Sequence, residues 1–386
     1  MTTVLLAVGD ASGDAVAADF VGALRELRPD ARFLGLGGVE MENRGVEIVA
    51  HQRDLAVGGI VELVPSLHRV ARAWRRMGAA LAAARPDLAV LVDSSGFNLP
   101  FARRARRAGV PVLYYVSPQV WAWRSGRIRK LARRVDRMAV IFPFEPAVYD
   151  GTGIPVEFVG HPLVERLGGR GPRDREAARA RLDLPAAAKV VALLPGSRRS
   201  EVRSCLGLHL EAAEIVHARD PHSHFVLPVA PPIDRAQVEA GVRRRRLPSL
   251  LRLDVLDGGS HDALTACDVA LCKPGTATLE AALLERPCVV AGRGHPLSAA
   301  IVRRLVKVDY WGMPNLIAGE PVVPEFLQER ADPQAIAEAV LALFEGPARA
   351  AQLAGLAPVR EALGPGGAAR RTAAIAEEMI VARRGA

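Results

Sequence analysis

The sequence predicts an α/β protein of two lobes, each built around a doubly wound parallel sheet. The chain has 386 residues, more than one ordinary core accommodates, and half of them are hydrophobic. Short β-branched runs alternate with helical patterns along its length. Such alternation is typical of right-handed crossovers between parallel strands.

The first lobe is expected at residues 1–165. Helices fit between its strands, for instance at Asp14–Leu24 and Pro100–Ala108. Six short apolar runs have the pattern of buried parallel strands: Val4–Val8, Phe33–Leu36, Leu88–Val92, Val112–Val116, Met138–Phe142 and Val156–Val159.

The alternation breaks at Gly168–Pro172, a stretch rich in Gly, Arg and Pro. A second lobe is expected at 186–350, followed by a C-terminal helical segment at 351–386 that packs back on the first lobe. Ligands of such folds bind beyond the carboxyl ends of the strands, so a cleft between the two lobes is the expected site. The strands of the second lobe are predicted at Val190–Leu194, Phe225–Val229, Val269–Leu271 and Cys288–Ala291.

Several classes of protein do not fit the sequence. No apolar run approaches the roughly 20 residues that span a bilayer. Met1–Val8 lacks the basic region and cleavage site of a signal peptide, so a cytoplasmic protein is expected. The four cysteines have no metal-ligand spacing and are expected to be buried, reduced thiols.

Positive charge is concentrated between Arg103 and Arg137. This stretch holds eleven Arg or Lys and one acid, Asp136, a balance of +10, while the whole chain carries +9 and the remainder therefore −1. The balance favours an anionic membrane surface or a phosphorylated ligand. A solvated helix face would give the same pattern. Nucleic acid is not favoured, because no binding motif accompanies the charge.

A small-residue loop, Gly9–Asp14, follows the first strand and opens a helix. Glycine lets the backbone approach a ligand closely. The carboxylates of Asp10 and Asp14, together with Ser12, suit sugar hydroxyls better than phosphate. Alternatively, Asp14 only caps the first helical turn.

A second loop, Leu194–Glu201, lies between a strand and a helix. Gly196 and Ser197 expose backbone amides, and the guanidinium of Arg198 suits phosphate oxygens. Taken alone, the loop could also be an ordinary capped turn.

A third loop, Cys272–Glu280, follows another strand. Gly275, Thr276 and Thr278 present small donors at a helix start, and Glu280 could accept from ribose hydroxyls. The second and third loops together predict a nucleotide-diphosphate site. Since there is no D-x-D motif, Arg198 and backbone amides are expected to meet the diphosphate charge, and neither a metal nor a cofactor is expected.

These motifs together resemble the lipid-A-disaccharide synthase family of GT-B glycosyltransferases. The V-S-P-x-V-W-A-W run is the most specific of them, whereas G-T-x-x-L-E is shared more widely. The matching segments are Gly9–Asp14, Asp54–Glu62, Tyr115–Arg124, Phe142–Glu145, Gly160–Pro162, Leu194–Arg198, Gly275–Glu280, Val306–Tyr310 and Pro314–Leu316.

The resemblance implies two Rossmann-like lobes and a defined reaction. A 2,3-diacylglucosamine is transferred with inversion from UDP to the 6-hydroxyl of 2,3-diacylglucosamine 1-phosphate, giving a β-1,6-linked disaccharide 1-phosphate and UDP. The resemblance also implies a peripheral location on the inner face of the cytoplasmic membrane, and a homodimer is left open.

Two positions depart from the family pattern. Asp10 stands where the family has Glu in its first loop. Gly96 stands where the family's D-x-x-D-F-N motif has its second carboxylate, whereas Asp93 keeps the first.

An inverting transferase needs a base for the acceptor hydroxyl and a group that stabilises the departing UDP. Asp93 is the predicted base, although it could equally hold the turn before the next helix. Arg198 is the predicted stabiliser of the leaving group. Further substrate contacts are predicted at Asn98, Trp123, Arg124 and Asn315.

The segment Gly59–Ala83 could dip into the membrane interface or form a core helix. Three alternative functions stay open: a related transferase with another lipid or sugar acceptor, which Gly96 favours; a UDP-N-acetylglucosamine 2-epimerase, which the V-W-A-W run disfavours; and a non-catalytic lipid- or nucleotide-binding protein.

Overall fold

The computed structural model describes residues 1–55, 63–118, 126, 128–168, 172–231, 233–294 and 309–385. The chain divides into two compact units. Unit 1 consists of Met1–Pro162 and Leu363–Ala386, and unit 2 of Leu163–Ala362.

The described strands are β1 Thr3–Val8, β2 Arg32–Gly37, β3 Glu47–His51, β4 Leu88–Val92, β5 Val112–Tyr115, β6 Arg137–Val140, β7 Val156–Phe158, β8 Lys189–Leu194, β9 Ser223–Val229, β10 Arg252–Asp257, β11 Val269–Cys272, β12 Cys288–Gly292 and β13 Glu325–Leu327. The described helices are α1 Ala11–Leu27, α2 Val39–Asn43, α3 Leu63–Ala84, α4 Ser95–Arg107, α5 Ile128–Ala132, α6 Glu145–Val148, α7 Leu163–Leu167, α8 Pro172–Arg181, α9 Arg199–Arg219, α10 Arg235–Arg245, α11 Ser260–Ala266, α12 Ala277–Leu283, α13 Met313–Ala318, α14 Pro333–Ala342, α15 Pro347–Ala362 and α16 Ala368–Gly385.

Unit 1 is built on a parallel sheet of order β3-β2-β1-β4-β5-β6-β7. The strand order reverses between β1 and β4, where Val8 pairs with Val92. The loops after these two strands therefore leave the sheet side by side, at the position where doubly wound folds bind ligands.

Unit 2 repeats this plan with a parallel sheet of order β10-β9-β8-β11-β12-β13. Its strand order reverses between β8 and β11, where Leu194 pairs with Cys272. The doubly wound α/β fold predicted from the sequence is confirmed in both units.

Strands that the sequence pattern did not predict lie at sheet edges. β3, β10 and β13 are each the outermost strand of their sheet. β10 carries charged residues and alternates between exposed and half-buried positions. An edge strand has a neighbouring strand along only one of its two edges and is less buried than a central strand. It therefore needs no continuous apolar run.

The C-terminal segment belongs to both units. α15 lies in unit 2, and only the part from Leu363 onwards belongs to unit 1. There α16 packs on α1, and the Arg28 guanidinium binds the Glu377 carboxylate at 2.5 Å.

Helix α3 contributes to the core of unit 1. Ala73, Met77 and Leu81 are almost completely buried, and Trp74 packs edge-on against Phe97 at 5.5 Å. The segment Gly59–Ala83 was predicted either to dip into the membrane interface or to form a core helix, and these residues form a core helix. Residues 56–62 lie outside the described residues. No helix in the described part of the chain is long and apolar enough to cross a membrane.

Candidate functional site

The second and third loops lie next to each other in unit 2. Leu194 and Cys272 end neighbouring strands at the same level, and the Lys273 amide donates to the Leu194 carbonyl at 2.9 Å. We call residues 195–198 the Gly196 loop and residues 273–276 the Gly275 loop. Both therefore start from the point where the strand order reverses, as a nucleotide site in this fold requires.

The Gly196 loop is shaped by Glu201, which lies in the first turn of α9. Glu201 Oε2 accepts from the amides of Ser197 and Arg198 at 3.1 and 3.2 Å. Gly196 has a φ of +134°, and a Cβ there would stand 2.5 Å from the Glu201 Cβ. Glycine is thus required at 196 by both conformation and space.

The same carboxylate binds two cationic side chains. Glu201 Oε1 accepts from Lys273 Nζ at 2.9 Å and from Arg198 Nη1 at 3.1 Å. Burial raises the pKa of Glu201, but the charges of Lys273 and Arg198 and the Ser197 amide outweigh it, so the pKa lies below its usual value. Glu201 and Lys273 were not predicted as site residues, since nothing in the sequence indicates that residues 72 positions apart pair.

Arg198 is the most accessible charged group of the Gly196 loop. Its side chain is 73% exposed. Gly196 is half-buried, and Ser197 is exposed. Arg198 and the loop around it are therefore accessible to an anionic ligand.

The third loop, Cys272–Glu280, has one accessible and one buried threonine. Thr276 is exposed. Thr278 is fully buried, and its hydroxyl donates to the Gly275 carbonyl at 2.7 Å and accepts from the Met313 amide at 3.3 Å. These two bonds hold the loop itself, and the UDP contact at Thr278 stays a prediction.

Glu280 lies one helical turn further on. Its side chain is 16% exposed, with Oε1 3.7 Å from Nε2 of His261 on α11. His261 was not predicted as a site residue, and only its place at the start of a helix after a strand could have indicated it.

Asn315, a predicted substrate contact, makes internal hydrogen bonds. It is 1% exposed, and its amide donates to the Val323 carbonyl and to Glu325 Oε1, both at 2.8 Å. Its Oδ1 accepts from the Val323 amide at 2.7 Å. These bonds hold the connection between α13 and β13, and the substrate contact at Asn315 stays a prediction.

In unit 1 the first loop follows β1 as predicted. Its polar residues differ in exposure and in their contacts. Asp10 and Ser12 are exposed, and Asp10 caps α1 by accepting from the Gly13 amide at 2.8 Å. Asp14 is 2% exposed and accepts from the amides of Gly38 and Glu40 at 2.7 and 2.9 Å. Asp14 therefore fixes the start of α2, and its sugar contact stays a prediction.

Asp93 has a backbone conformation that is rare outside glycine. Its φ is +46°, and Ser94 follows with a φ of +42°. Such conformations cost of order 1–3 kcal/mol and persist where surrounding bonds enforce them. The Asp93 carbonyl accepts from Asn98 Nδ2 at 2.9 Å and from the Tyr114 hydroxyl, while its amide donates to the Tyr115 carbonyl at 3.1 Å.

Asn98 is one of the groups that enforce this turn. It is fully buried, and its Nδ2 lies within hydrogen-bond distance of the carbonyls of Ala7, Val92 and Asp93. Its amide group holds the ends of β1 and β4 together, and the substrate contact at Asn98 stays a prediction.

Gly96 is exposed in the first turn of α4. A Cβ built on it meets no described atom within 4 Å. The position therefore has open space around a Cβ, as far as the described residues show.

The V-S-P-x-V-W-A-W run is described only at its start. Val116 has a φ of +61°, unusual for a β-branched residue. Ser117 Oγ lies 2.5 Å from the Tyr149 hydroxyl, and burial raises the pKa of Tyr149. Trp123 and Arg124, both predicted to contact the acceptor, lie outside the described residues.

Metal ligands do not cluster in the described part of the chain. No group of three or more His, Cys, Asp or Glu residues there could hold a metal ion. The four cysteines are buried as free thiols.

The two doubly wound units, each with loops at the switch point of its sheet, have the GT-B fold. Solved structures of similar fold include the glycotransferase of kitacinnamycin, 18% identical with a TM-score of 0.64 over 98% of both chains. Another is the UDP-GlcNAc 2-epimerase from Neisseria meningitidis, 14% identical with a TM-score of 0.68 over 98% of this chain and 100% of that one.

Residues 4–375 match the family model of lipid-A-disaccharide synthetase. The lipid-A-disaccharide synthase of Anaeromyxobacter dehalogenans is 43% identical over 98% of this chain and 96% of its own length. That of Azotobacter vinelandii is 45% identical over 89% of each chain. The chain belongs to the lipid-A-disaccharide synthetase family and is a UDP-sugar glycosyltransferase, which confirms the resemblance found in the sequence.

Proposed function

We propose that the chain transfers 2,3-diacylglucosamine from UDP to the 6-hydroxyl of 2,3-diacylglucosamine 1-phosphate, with inversion, forming a β-1,6-linked disaccharide 1-phosphate. The observation that carries this proposal is the family match, which spans nearly the whole chain at 43% identity to a curated lipid-A-disaccharide synthase. An epimerase is disfavoured, because its similarity is limited to the fold at 14% identity.

We propose that unit 2 binds the UDP moiety. The exposed side chains of Ser197, Arg198 and Thr276 would meet the diphosphate, and Glu280 would accept from the ribose. Arg198 would stabilise charge on the departing UDP. Arg198→Ala should then cost about 3 kcal/mol of transition-state stabilisation, as removal of an oxyanion donor does.

We propose that unit 1 supplies the catalytic base and the sugar contacts. Asp93 would accept the proton of the acceptor hydroxyl, and its rigidly held backbone supports this role. Asp10 and Ser12, both exposed, would contact sugar hydroxyls.

A second candidate is a transferase of the same family that uses a different lipid or sugar acceptor. Gly96 favours it, because the family's second carboxylate is replaced by a residue without a side chain. Donor and leaving group would be unchanged.

UDP release separates these functions. The purified protein is incubated with UDP-2,3-diacylglucosamine, with and without 2,3-diacylglucosamine 1-phosphate. Release that depends on this acceptor supports the proposed reaction, and release only with other acyl-sugars supports the second candidate. No release with any acyl-sugar acceptor would exclude both.

We propose that the protein acts on acylated substrates at the inner face of the cytoplasmic membrane, bound peripherally. The basic stretch Arg103–Arg137 supports this, since Arg103, Arg107, Arg129 and Lys130 are exposed. Arg137 is instead paired with Glu157 and Glu378.

Binding to anionic vesicles should fall steeply with salt, because exposed charges are screened over about 8 Å at physiological ionic strength. Equal, salt-insensitive binding to neutral vesicles would contradict an electrostatic surface.

A further inference from the structure

One carboxylate links the two loops at the switch point of unit 2. Glu201 holds the Gly196 loop through two backbone amides and binds Lys273, which belongs to the Gly275 loop, at 2.9 Å. The Glu201 side chain is only 15% exposed. Such a partly buried ion pair is screened less than an exposed surface pair.

The ammonium of Lys273 stands over the Gly275 loop. Its Nζ would lie 3.8 Å from a Cβ on Gly275, and its side chain is 28% exposed. A lysine ammonium has three donors, and Glu201 is the partner that the described residues provide. Lys273 therefore has donors left for an anionic ligand beside the Gly275 loop.

Charge balance at this point is positive. Arg198 and Lys273 both bind Glu201 Oε1, so two cations share one anion. An ion pair that only links the two loops would need one cation for one carboxylate. The second cation leaves positive charge for a ligand that carries more than one negative charge, such as a diphosphate.

We propose that Lys273 binds the diphosphate of the UDP-sugar together with Arg198, and that Glu201 is a positioning residue that holds both cations. The proposal rests on the proposed function of unit 2 as the UDP site. It adds a cationic contact with the diphosphate to the Gly275 loop, where only small donors and amides were expected.

Lys273→Met tests the contact, because it removes the ammonium and keeps most of the aliphatic stem. Affinities for UDP and UMP are measured by calorimetry. UDP affinity should fall about tenfold, as expected for one lost charge-assisted hydrogen bond. UMP affinity should fall less, so the preference for UDP over UMP shrinks. Lys189→Met is the matched control, since Lys189 lies at the opposite end of β8 and pairs with Asp220 and Glu345.

Glu201→Gln tests the positioning role in a double-mutant cycle. If Glu201 acts through Lys273, Lys273→Met should weaken UDP binding by a smaller factor in the Glu201→Gln background than in the wild type. Thermal unfolding of each variant identifies any loss of fold, and Glu201→Asp, which keeps the charge, should retain more UDP affinity than Glu201→Gln.

Three outcomes overturn the proposal. One is unchanged UDP affinity in Lys273→Met, and another is an equal loss for UDP and UMP, which would show a displaced loop rather than a lost phosphate contact. If the factors by which the two substitutions change UDP affinity simply multiply in the double variant, Glu201 does not act through Lys273. Wild-type protein that binds neither nucleotide would instead contradict the proposed function of unit 2.

Discussion

Gly9 lies directly against Ser94, so closely that a Cβ on Gly9 would stand 2.1 Å from the Ser94 Oγ. The contact follows from the sheet, because β1 and β4 are neighbours and Val8 pairs with Val92. The glycine that opens the first loop is therefore required by the neighbouring loop, independently of any ligand.

Gly9→Ala should destabilise unit 1 by about 1–3 kcal/mol, the usual cost of overpacking. Ser94→Gly should restore stability in the double variant, because it removes the clashing side chain and glycine readily adopts the φ of +42° found at Ser94. Thermal unfolding measures both. Ser94→Ala is the control, since its Cβ would still clash at 2.3 Å. Equal rescue by alanine and glycine would contradict this explanation.

Stability should also fall in mild acid because of two buried histidines. Burial lowers the pKa of His209 to about 4, although its contact with the Ala291 carbonyl acts in the opposite direction. Burial also lowers the pKa of His161 to about 4. An unfolded histidine titrates near 6.5. The unfolded state therefore binds more protons between these values, and stability is lost as pH falls from about 6.5 towards 4, by up to about 3 kcal/mol per histidine.

His209→Gln should flatten this dependence, because glutamine does not titrate and can still donate to the Ala291 carbonyl that His209 contacts. His222 is exposed, and His222→Gln is the control that should leave the slope unchanged. Urea unfolding at several pH values measures the slope. A slope that His209→Gln leaves intact would place the acid sensitivity elsewhere.

The sequence predicted the buried framework well, because continuous apolar runs specify strands covered on both faces. The predicted ligand loops do follow strand ends at the switch points of the two sheets. The sequence could not show which way a short polar side chain points. Asp14, Asn98, Thr278 and Asn315 all turned inward, where they satisfy backbone groups that loops leave without partners.

Asp93→Asn should lower turnover by about 10²- to 10⁴-fold, the contribution of a general base. Asparagine fits the left-handed backbone of residue 93 and keeps the size of the side chain, but it cannot accept a proton. UDP binding, expected in unit 2, should be nearly unchanged. Steady-state UDP release and calorimetry measure the two effects.

Asp93→Gly is a second test of the role of this residue. Glycine adopts a φ of +46° without strain, so this variant should unfold at a higher temperature than the wild type while losing turnover. Full activity in either variant would move the base to another carboxylate, with Asp10 next in line.

Gly96→Asp restores the family's second carboxylate and should raise turnover with 2,3-diacylglucosamine 1-phosphate if that carboxylate assists the base. No described atom lies within 4 Å of the new Cβ, and an acid in the first turn of α4 interacts favourably with the helix dipole. Neither clash nor loss of helix should therefore obscure the result. We expect a gain of at most about 10²-fold, the lower end of a full general-base contribution, and Gly96→Asn as the uncharged control should give none. A fall in turnover for both variants, with unfolding temperatures unchanged, would show that the space at Gly96 serves a different acceptor. That result would favour the second candidate function while leaving the UDP site of unit 2 in place.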